Sequence, residues 1–447
     1  MNAASPNLKP LTARKSGPLQ GVTKVPGDKS ISHRALMFGA ITVGETIVSG
    51  LLDGDDVLAT AEALRAMGAD ITKGGDGLWR IFGTGLGGLR SPGKPLDMGN
   101  SGTSTRLLAG LIAGHPITAT LTGDASLSKR PMNRVIKPLA MMGATFESEN
   151  EGLLPLTVTG SPDIMPIEYR LPVASAQVKS AILLAGLNAP GRTTVIEDHP
   201  TRDHTERMLR HFGVDVQVKD NKDGSQSISV IGQQELQPCA VDVPCDPSSA
   251  AFPAVAALIN EGSEVRLSRI CINKRRTGLY ETLQEMGADI TYKHTRTESG
   301  EKVADILVRS IGKLKGVTVP PERVPSMIDE FPALAMAAAC AEGTTVMTGL
   351  AELRVKESDR LQMIAEGLTA CGVRVETGKD SLTVHGTGKP PKGGATVKTA
   401  FDHRIAMAFL VLGTASDQPI TVDDSTAIST SFPNFRTLME DLGAVIG

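Results

Sequence analysis

Two hydrophobic patterns alternate along the chain, and the first is a helix with a polar opening and an almost wholly apolar body. A helix that is apolar on every face must be buried, because it has no polar side to turn toward water. This pattern recurs in six segments: GDKSISHRALMFGAI, GNSGTSTRLLAGLIAG, VASAQVKSAILLAGLN, CDPSSAAFPAVAALIN, SMIDEFPALAMAAACA and FDHRIAMAFLVLGTA.

The second pattern is an amphipathic helix that ends in glycine and leads into a strand. A glycine is expected just past a helix end because it adopts positive φ without strain. The change from a helical to an alternating period after each glycine predicts a β-strand. The six glycines are Gly68, Gly143, Gly213, Gly287, Gly372 and Gly443.

Because the two patterns alternate in phase, we interpret the chain as six copies of one α/β unit. A chain of 447 residues is too long for one ordinary core, so at least two domains are expected. Three units per half is the natural division. The split then lies near residues 238–246, between the third and fourth units.

Composition narrows the classes of protein that remain. The formal net charge is −3 and aromatic residues make up 3%, which disfavours binding to nucleic acid or a membrane surface. The five cysteines form no C-x-x-C pair, so reduced thiols in a cytoplasmic protein are expected. The longest apolar run, residues 331–341, is too short to span a membrane. The basic first 20 residues lack an apolar stretch and a cleavage site, so we expect a short tail.

The helix openings carry the candidate chemistry. A helix N-terminus presents unpaired N–H groups and partial positive charge, so it attracts anions. Each opening alone is ordinary, but cations recur at corresponding ends of the repeat, which predicts a cationic cleft for small polyanions. Polar and basic residues at the openings and nearby loops are Lys29, Ser30, Arg34, Asn100, Gly102, Thr103, Arg106, Lys129, Arg130, Arg134, Ser175, Gln177, Lys179, Arg202, Arg354, Lys356, Arg360, His403 and Arg404.

Two acids lie among these cations, Asp329 in PSMIDEFP and Glu357 in LRVKESDR. Such surroundings suit a general acid or base, and they equally suit an ordinary ion pair. The spacings H-E-x-x-H and C-x-x-C are missing, so we expect no metal site. The motif G-x-S-x-G is missing too, which disfavours a serine hydrolase.

Taken as a set, the motifs resemble the 5-enolpyruvylshikimate-3-phosphate synthase family. They are PGDKSISHRA, GNSGTSTR, DASLSKRPM, SAQVKSA, TRDHTE, MIDEFP, LRVKESDRL and DHRIAMA. GDKS, SAQVK and RDHTE are similar to the bacterial class II branch, which includes glyphosate-tolerant enzymes. The resemblance extends from about Lys24 to Phe435.

The resemblance implies an α/β fold of two domains, each with three βαβαββ units and buried helices, known as an inside-out α/β barrel. The chain crosses between the domains twice. We therefore expect residues 22–243 to form the first domain, and residues 1–21 with 244–447 to form the second. The active site is expected in the cleft between them.

The implied reaction moves the enolpyruvyl group of phosphoenolpyruvate to the 5-hydroxyl of shikimate 3-phosphate and releases phosphate. It belongs to the shikimate pathway of aromatic amino acid biosynthesis. No cofactor and no metal are implied. Glyphosate is expected as a competitive inhibitor, and the protein is expected to be a cytoplasmic monomer that binds neither nucleic acid nor membranes.

The resemblance also implies roles for individual residues. Shikimate 3-phosphate is held by Lys29, Ser30, Arg34, Ser175, Ala176, Gln177, Arg202, Asp329 and Lys356. Phosphoenolpyruvate is held by Lys29, Asn100, Gly102, Arg130, Gln177, Arg360 and Arg404. The catalytic residues are Asp329, Glu357, Lys29 and Lys356. Asp329 accepts the proton of the attacking hydroxyl, Glu357 exchanges a proton with the methylene carbon of phosphoenolpyruvate, and Lys356 stabilises developing charge.

The chain departs from the family pattern at three places. Residues 273–276 read Asn-Lys-Arg-Arg where the class II branch has N-x-T-R, so the resemblance assigns no role to this loop. A C-terminal lysine of the class I branch is missing around Ser429 and Ser431. Gly102 stands where well-known tolerant enzymes have alanine, whose methyl crowds glyphosate more than phosphoenolpyruvate.

Two other readings remain open at this point. UDP-N-acetylglucosamine enolpyruvyl transferases share the six-unit fold, but they place a reactive cysteine in the first half, and here no cysteine precedes Cys239. A nucleic-acid-binding or ring-clamp protein built from repeated α/β units is disfavoured by the low aromatic content and the negative charge.

Overall fold

The computed structural model describes residues 8–447 of the chain, which form two compact units. The N-unit comprises Gly27–Pro244 and Thr297–Glu301. The C-unit comprises the described residues up to Pro26, together with Cys245–Arg296 and Lys302–Gly447. Of the expected N-terminal tail, residues 1–7 lie outside the described part.

The chain begins with two strands of the C-unit, β1 (Leu11–Arg14) and β2 (Gln20–Thr23), and then enters the N-unit. The helices of the N-unit are α1 (Lys29–Ala40), α2 (Asp55–Ala66), α3 (Gly102–Ala113), α4 (Asn133–Met141), α5 (Ala176–Gly186) and α6 (His204–His211). Its strands are β3 (Gly44–Ser49), β4 (Asp70–Lys73), β5 (Trp79–Gly83), β6 (Leu96–Asp97), β7 (Thr118–Thr122), β8 (Thr145–Ser148), β9 (Leu156–Thr159), β10 (Glu168–Arg170), β11 (Arg192–Glu197), β12 (Val216–Asp220), β13 (Gln226–Ile231) and β14 (Ala240–Asp242).

The chain then returns to the C-unit. Its helices are α7 (Pro247–Ile259), α8 (Gly278–Glu285), α9 (Val324–Met327), α10 (Phe331–Cys340), α11 (Arg360–Ala370), α12 (His403–Gly413) and α13 (Phe435–Asp441). Its further strands are β15 (Glu264–Cys271), β16 (Asp289–Glu298), β17 (Glu301–Arg309), β18 (Thr318–Val319), β19 (Glu342–Met347), β20 (Arg374–Thr377), β21 (Leu382–Thr387), β22 (Thr396–Val397), β23 (Ile420–Val422) and β24 (Val445–Ile446).

Within the described residues, six four-stranded sheets share one plan, in which an edge strand runs parallel to its neighbour and that neighbour pairs antiparallel with the third strand. In five of these sheets the third and fourth strands follow each other in the chain, and in the sixth they are β1 and β24. In the N-unit their orders are β14-β3-β5-β4, β6-β7-β9-β8 and β10-β11-β13-β12. In the C-unit they are β2-β15-β17-β16, β18-β19-β21-β20 and β22-β23-β1-β24. Each of these is an open sheet. The predicted α/β fold of six repeated units is therefore confirmed.

Three strands complete sheets that are distant in sequence. Strand β1 lies between β23 and β24, β2 pairs in parallel with β15, and β14 pairs in parallel with β3. This exchange explains where the chain passes from one unit to the other, just after β2 and just after β14. The structure therefore leaves residues 22–26 in the C-unit and residue 244 in the N-unit, and it assigns the tip of the β16–β17 hairpin to the N-unit.

The apolar helices lie in the core, as their pattern predicts. Helix α3 packs against α5 in the N-unit, and α7, α10 and α12 pack against one another in the C-unit. The approach of α3 to α5 requires glycine, because a Cβ added at Gly110 would lie 2.3 Å from the carbonyl oxygen of Ala181. The six glycines that follow the amphipathic helices all have positive φ, between +84° and +112°, so this prediction is confirmed.

The described residues also bear on membranes, thiols and metals. Within residues 8–447, no helix is long and apolar enough to cross a membrane. None of the five cysteines, which all lie within residues 8–447, forms a disulfide bond. In this same part of the chain, no group of three or more His, Cys, Asp or Glu side chains is arranged to hold a metal ion.

Candidate active site

The opening of α1 places Lys29 at the surface of the N-unit. Asp28 caps this helix, since its Oδ1 accepts a hydrogen bond from the backbone N–H of Ile31 at 2.9 Å. The Lys29 ammonium forms an ion pair with Asp56 on α2, with 2.8 Å between Nζ and Oδ2. The side chain of Lys29 is partly exposed, so the cation is both anchored and accessible.

Arg34 lies one turn further along α1, and its guanidinium joins three helices. Its Nε donates to the hydroxyl of Thr205 on α6 and its Nη2 donates to Ser180 on α5, both at 2.7 Å. Its Nη1 donates to the carbonyl oxygen of Ser30 at 2.9 Å. These hydroxyl and carbonyl acceptors fix the orientation of the buried guanidinium without adding negative charge.

Arg130 and Asn100 form the second part of the N-unit cluster. Arg130 Nη2 donates to the Asn100 side-chain oxygen at 2.6 Å and to the Ser126 hydroxyl at 3.1 Å, while Nη1 donates to the Asn100 carbonyl at 3.2 Å. The amide of Asn100 in turn donates to Asp124 at 2.7 Å. The loop after β7 and the opening of α3 thus hold one buried arginine in a fixed orientation.

Gln177 at the start of α5 connects to the opening of α3. Its side-chain oxygen accepts a hydrogen bond from Arg106 Nη1 and its amide donates to the Thr103 hydroxyl, both at 3.0 Å. A Cβ added at Gly102 would lie 2.8 Å from Arg106 Nη1 and 3.2 Å from Arg130 Nη1. Gly102 therefore lets two guanidinium groups approach the helix opening closely.

Three further predicted residues lie at the openings of α5 and α6. Ser175 caps α5, accepting from the N–H of Val178 at 3.3 Å, and Ala176 is the first residue of that helix. Arg202 is half-buried and lies two residues before α6. These positions agree with roles at a binding surface. The cap by Ser175 also stabilises α5 itself, whatever the residue binds.

Lys179 differs from the other cations that the sequence placed at the openings. Its ammonium is buried and forms ion pairs with Glu197 at 2.9 Å and Glu206 at 2.7 Å. Burial alone would lower the pKa of Lys179, but Glu206 and Glu197 outweigh it and raise this pKa. Lys179 therefore belongs to the interior of the N-unit and not to its binding surface.

A buried histidine lies beneath the N-unit cations. His33 Nδ1 is 2.8 Å from the hydroxyl of Thr60, which is 2.7 Å from the hydroxyl of Ser104 on α3. Burial, with Lys29 and Arg34 nearby, holds the pKa of His33 well below its usual value. The imidazole is therefore neutral at physiological pH, and it connects the openings of α1 and α3 without adding charge.

In the C-unit, Arg360 is the centre of a cluster of carboxylates. Its Nε donates to Asp402 at 2.8 Å, its Nη1 donates to Asp329 at 3.1 Å and its Nη2 donates to Glu357. Burial would lower the pKa of Arg360, but Asp402, Glu357 and Asp329 outweigh it and raise this pKa. Asp402 also caps α12, since its Oδ1 accepts from the N–H of Arg404 at 3.0 Å.

Lys356 and Arg404 complete the C-unit cluster. Lys356 Nζ lies 3.4 Å from Asp329 Oδ1, and this carboxylate is partly exposed in the turn before α10. Arg404 Nη1 donates to the backbone carbonyl of Asp329 at 3.2 Å. One acid thus receives a buried guanidinium and a more exposed ammonium, while its backbone contacts a second arginine.

The structure therefore assembles the predicted residues in two groups, one in each unit. The N-unit contains Lys29, Ser30, Arg34, Asn100, Gly102, Arg130, Ser175, Ala176, Gln177 and Arg202. The C-unit contains Asp329, Lys356, Glu357, Arg360 and Arg404. The motifs predict Arg106 only as one of the cations at the helix openings, and they predict no role for Asp402, which lies in FDHR. An aspartate directly before an apolar helix was the available signal for the cap at Asp402.

Comparisons with known proteins agree on one family. A family profile described as EPSP synthase (3-phosphoshikimate 1-carboxyvinyltransferase) matches residues 13–439. The 3-phosphoshikimate 1-carboxyvinyltransferase of Paramagnetospirillum magneticum is 63% identical over 438 residues, covering 98% of both chains. That of Parvibaculum lavamentivorans is 60% identical over 434 residues, covering 97% of this chain and 96% of the relative.

Solved structures give the same result. A structure of EPSP synthase from Acinetobacter baumannii has a TM-score of 0.87 and 47% identity, and the match covers 98% of this chain and 99% of the other. The enolpyruvyl transferase NikO from Streptomyces tendae has a TM-score of 0.76 at 18% identity, with the same coverage. The second likeness concerns the fold alone.

Proposed function

Because the chain belongs to the EPSP synthase family, we propose that it acts as a 3-phosphoshikimate 1-carboxyvinyltransferase. The enolpyruvyl group of phosphoenolpyruvate moves to the 5-hydroxyl of shikimate 3-phosphate, and phosphate is released. The enzyme is thus a transferase of the shikimate pathway, which leads to aromatic amino acids. The same family membership extends the predicted fold to that of the enolpyruvyl transferases.

The observation that carries the mechanism is the pair of carboxylates on Arg360. Asp329 and Glu357 accept hydrogen bonds from different nitrogens of one buried guanidinium. Addition–elimination needs one acid–base group at the attacking oxygen and another at the methylene carbon. Two carboxylates held apart on one rigid cation supply these groups in a fixed relation to each other.

We assign the proton at oxygen to Asp329 and the proton at carbon to Glu357. Glu357 protonates C3 of phosphoenolpyruvate, which makes C2 electrophilic, and Asp329 accepts the proton of the hydroxyl that adds to C2. The tetrahedral intermediate then loses phosphate, and Glu357 takes the C3 proton back, so the double bond is restored. Lys356, 3.4 Å from Asp329, stabilises the charge that develops at the oxygen.

The N-unit cluster suits the two phosphorylated substrates. We propose that Lys29, Ser30 and Arg34, together with Ser175, Ala176, Gln177 and Arg202, hold shikimate 3-phosphate. Phosphoenolpyruvate is held by Lys29, Asn100, Gly102, Arg130 and Gln177, together with Arg360 and Arg404. The support is that oriented guanidinium groups at helix openings match the geometry of phosphate and carboxylate oxygens.

We further propose an active site in the cleft between the two domains, competitive inhibition by glyphosate, a monomeric state and a cytoplasmic location. No metal or cofactor is proposed, since two carboxylates and several cations supply every proton transfer and charge that this addition–elimination requires.

The test is phosphate release from phosphoenolpyruvate, measured separately with shikimate 3-phosphate and with UDP-N-acetylglucosamine. We expect release only with shikimate 3-phosphate. Release only with the second acceptor would overturn the proposal. The first cysteine in the chain already argues against that outcome, because burial raises the pKa of Cys239 to about 11 and so disfavours a reactive thiolate.

A further inference from the structure

A buried polar network that the mechanism does not use lies at the opening of α7 in the C-unit. Asp246 caps this helix, and its Oδ1 accepts from the N–H of Ser248 at 2.8 Å. Arg276 Nη2 donates both to Asp246 Oδ1 and to the Ser248 hydroxyl, at 2.9 Å in each case. The Ser248 hydroxyl then donates to Oε1 of Glu330. All four side chains are buried, so this is an internal network and not a surface salt bridge.

The loop that departs from the family pattern holds Arg276 through its backbone. Asn273 Oδ1 accepts from the N–H of Arg275 at 2.9 Å, and the Asn273 carbonyl accepts from the N–H of Arg276 at 2.7 Å. These bonds use the backbone N–H groups of residues 275 and 276, and neither uses the side chain of Arg275. Arginine in place of the usual threonine at 275 is therefore compatible with the network.

Glu330, at the end of this network, lies next to the catalytic Asp329. Its Oε1 lies 3.9 Å from Arg404 Nη1, which is close enough for strong attraction but too long for a hydrogen bond. Its other oxygen, Oε2, is buried and has no hydrogen-bond partner within residues 8–447. A buried carboxylate oxygen without a donor lowers stability, and among the described residues Glu330 is held through Oε1.

Arg404 differs from Arg360 in how many of its donors are used. Among the described residues, the guanidinium of Arg404 donates one hydrogen bond, to the carbonyl of Asp329. The nitrogens of Arg360 all donate to carboxylates. The carboxylate of Glu330, whose Oε1 lies 3.9 Å from Arg404 Nη1, attracts this guanidinium without accepting a hydrogen bond from it. Arg404 is thus held in place with donors left for a substrate anion.

We propose that Glu330, oriented by Ser248 and Arg276, is a positioning residue that sets the guanidinium of Arg404 for phosphoenolpyruvate. This inference rests on the proposed function, which assigns Arg404 to that substrate. It also gives a role to the opening of α7. The charge of Glu330 acts through Arg404, so its loss should weaken phosphoenolpyruvate binding far more than shikimate 3-phosphate binding.

The test is Glu330→Gln, which keeps the size of the side chain and an oxygen that accepts from Ser248, and removes the charge that faces Arg404. We expect the KM for phosphoenolpyruvate to rise about fivefold to twentyfold, with the KM for shikimate 3-phosphate within about twofold. Ser248→Ala should give the same selective change to a smaller extent. The double variant should resemble Glu330→Gln alone, since both changes act through one carboxylate. The matched control is Glu342→Gln, an exposed acid beyond the other end of α10, which should change neither constant.

Three outcomes decide the matter. An unchanged KM for phosphoenolpyruvate in Glu330→Gln, or an equal rise in both KM values, would overturn the positioning role. If Glu330→Gln does not fold, the same selective rise in Ser248→Ala supports the role, and its absence there rejects it. If the unchanged protein releases no phosphate with shikimate 3-phosphate, the proposed function itself fails, and the inference that rests on it fails with it.

Discussion

The two clusters use their arginines in opposite ways. In the N-unit, Arg34 and Arg130 donate to hydroxyls, a side-chain amide oxygen and backbone carbonyls. In the C-unit, Arg360 donates to carboxylates. A neutral acceptor orients a guanidinium and adds no negative charge, whereas a carboxylate couples it to a group that can exchange protons. This difference supports the proposal that the N-unit cluster mainly binds substrate anions and that the proton-transfer groups belong to the C-unit cluster.

The buried titratable groups show the same contrast. Burial and the neighbouring Lys29 and Arg34 lower the pKa of His33 in the N-unit. In the C-unit, Asp402, Glu357 and Asp329 overcome burial and raise the pKa of Arg360. The surroundings of His33 thus disfavour an added proton, and those of Arg360 stabilise a bound one. Arg404 is the exception in the C-unit, since its hydrogen bond goes to a carbonyl, as expected for an anion ligand.

The largest effect should come from removing a proton-transfer group in the C-unit. Glu357→Gln retains an oxygen that accepts from Arg360 but cannot exchange a proton with carbon. We expect kcat to fall about 100-fold or more, with both KM values within about threefold. The control is Glu366→Gln, at an exposed position on α11. If Glu357→Gln keeps near-normal turnover in steady-state kinetics, Glu357 is not the acid–base group at carbon.

Arg130→Lys tests the binding side of the comparison. Lysine keeps the charge but cannot reproduce the fork that donates to Asn100 and Ser126. We expect kcat/KM for phosphoenolpyruvate to fall about 10- to 100-fold, mainly through KM. Arg90→Lys, at an exposed position of the N-unit, serves as the control. A fall confined to kcat would contradict the assignment of binding to the N-unit.

Gly102→Ala tests how closely the N-unit guanidinium groups are packed. The new methyl would lie 2.8 Å from Arg106 Nη1 and 3.2 Å from Arg130 Nη1, so at least one guanidinium must move. Since these are the ends of flexible side chains, the KM for phosphoenolpyruvate should rise by about tenfold or less. The glyphosate inhibition constant should rise further, so that tolerance increases.

The matched variant is Gly93→Ala, where an added Cβ has open space around it. It should leave both constants unchanged. If Gly102→Ala raises the KM for phosphoenolpyruvate but leaves the ratio of the two constants as it was, the methyl does not discriminate between the inhibitor and the substrate.

Much of the fold could be predicted from local pattern. Apolar helices must be buried, and a glycine after a helix adopts positive φ, so the six-unit repeat follows from short-range physics. The strand exchange could not be predicted this way. Strand β2 pairs with β15 and β14 pairs with β3, although Gln20 and Glu264 are 244 residues apart and Ile47 and Ala240 are 193 residues apart. Nothing in a short strand's own sequence specifies so distant a partner.

In the candidate active site, too, local sequence predicts some features and only the packing of distant segments determines the others. A cation or hydroxyl at a helix opening is visible in the sequence, but the direction of its side chain is not. Lys179 lies in the same opening as Gln177, yet its partners Glu197 and Glu206 draw it into the core. The network from Arg276 to Glu330 is equally hidden, because it joins three segments that only the packing of α7, α8 and α10 brings together.

The smallest predicted effect concerns the pH dependence of folding stability, and it tests the contrast between the buried His33 of the N-unit and the buried Arg360 of the C-unit. Because the pKa of His33 is well below its unfolded value of about 6.5, the unfolded chain binds more protons between those two values. The contribution of His33 to folding is therefore complete above about pH 6.5 and is lost as the pH falls toward the folded pKa.

His33→Asn should reduce the slope of the unfolding free energy against pH in this window by up to about 1.4 kcal/mol per pH unit, measured by denaturant titration at several pH values. An equal slope in His33→Asn and the unchanged protein would mean that the folded N-unit accepts a proton at His33, and the proposed contrast between His33 and Arg360 would then fail.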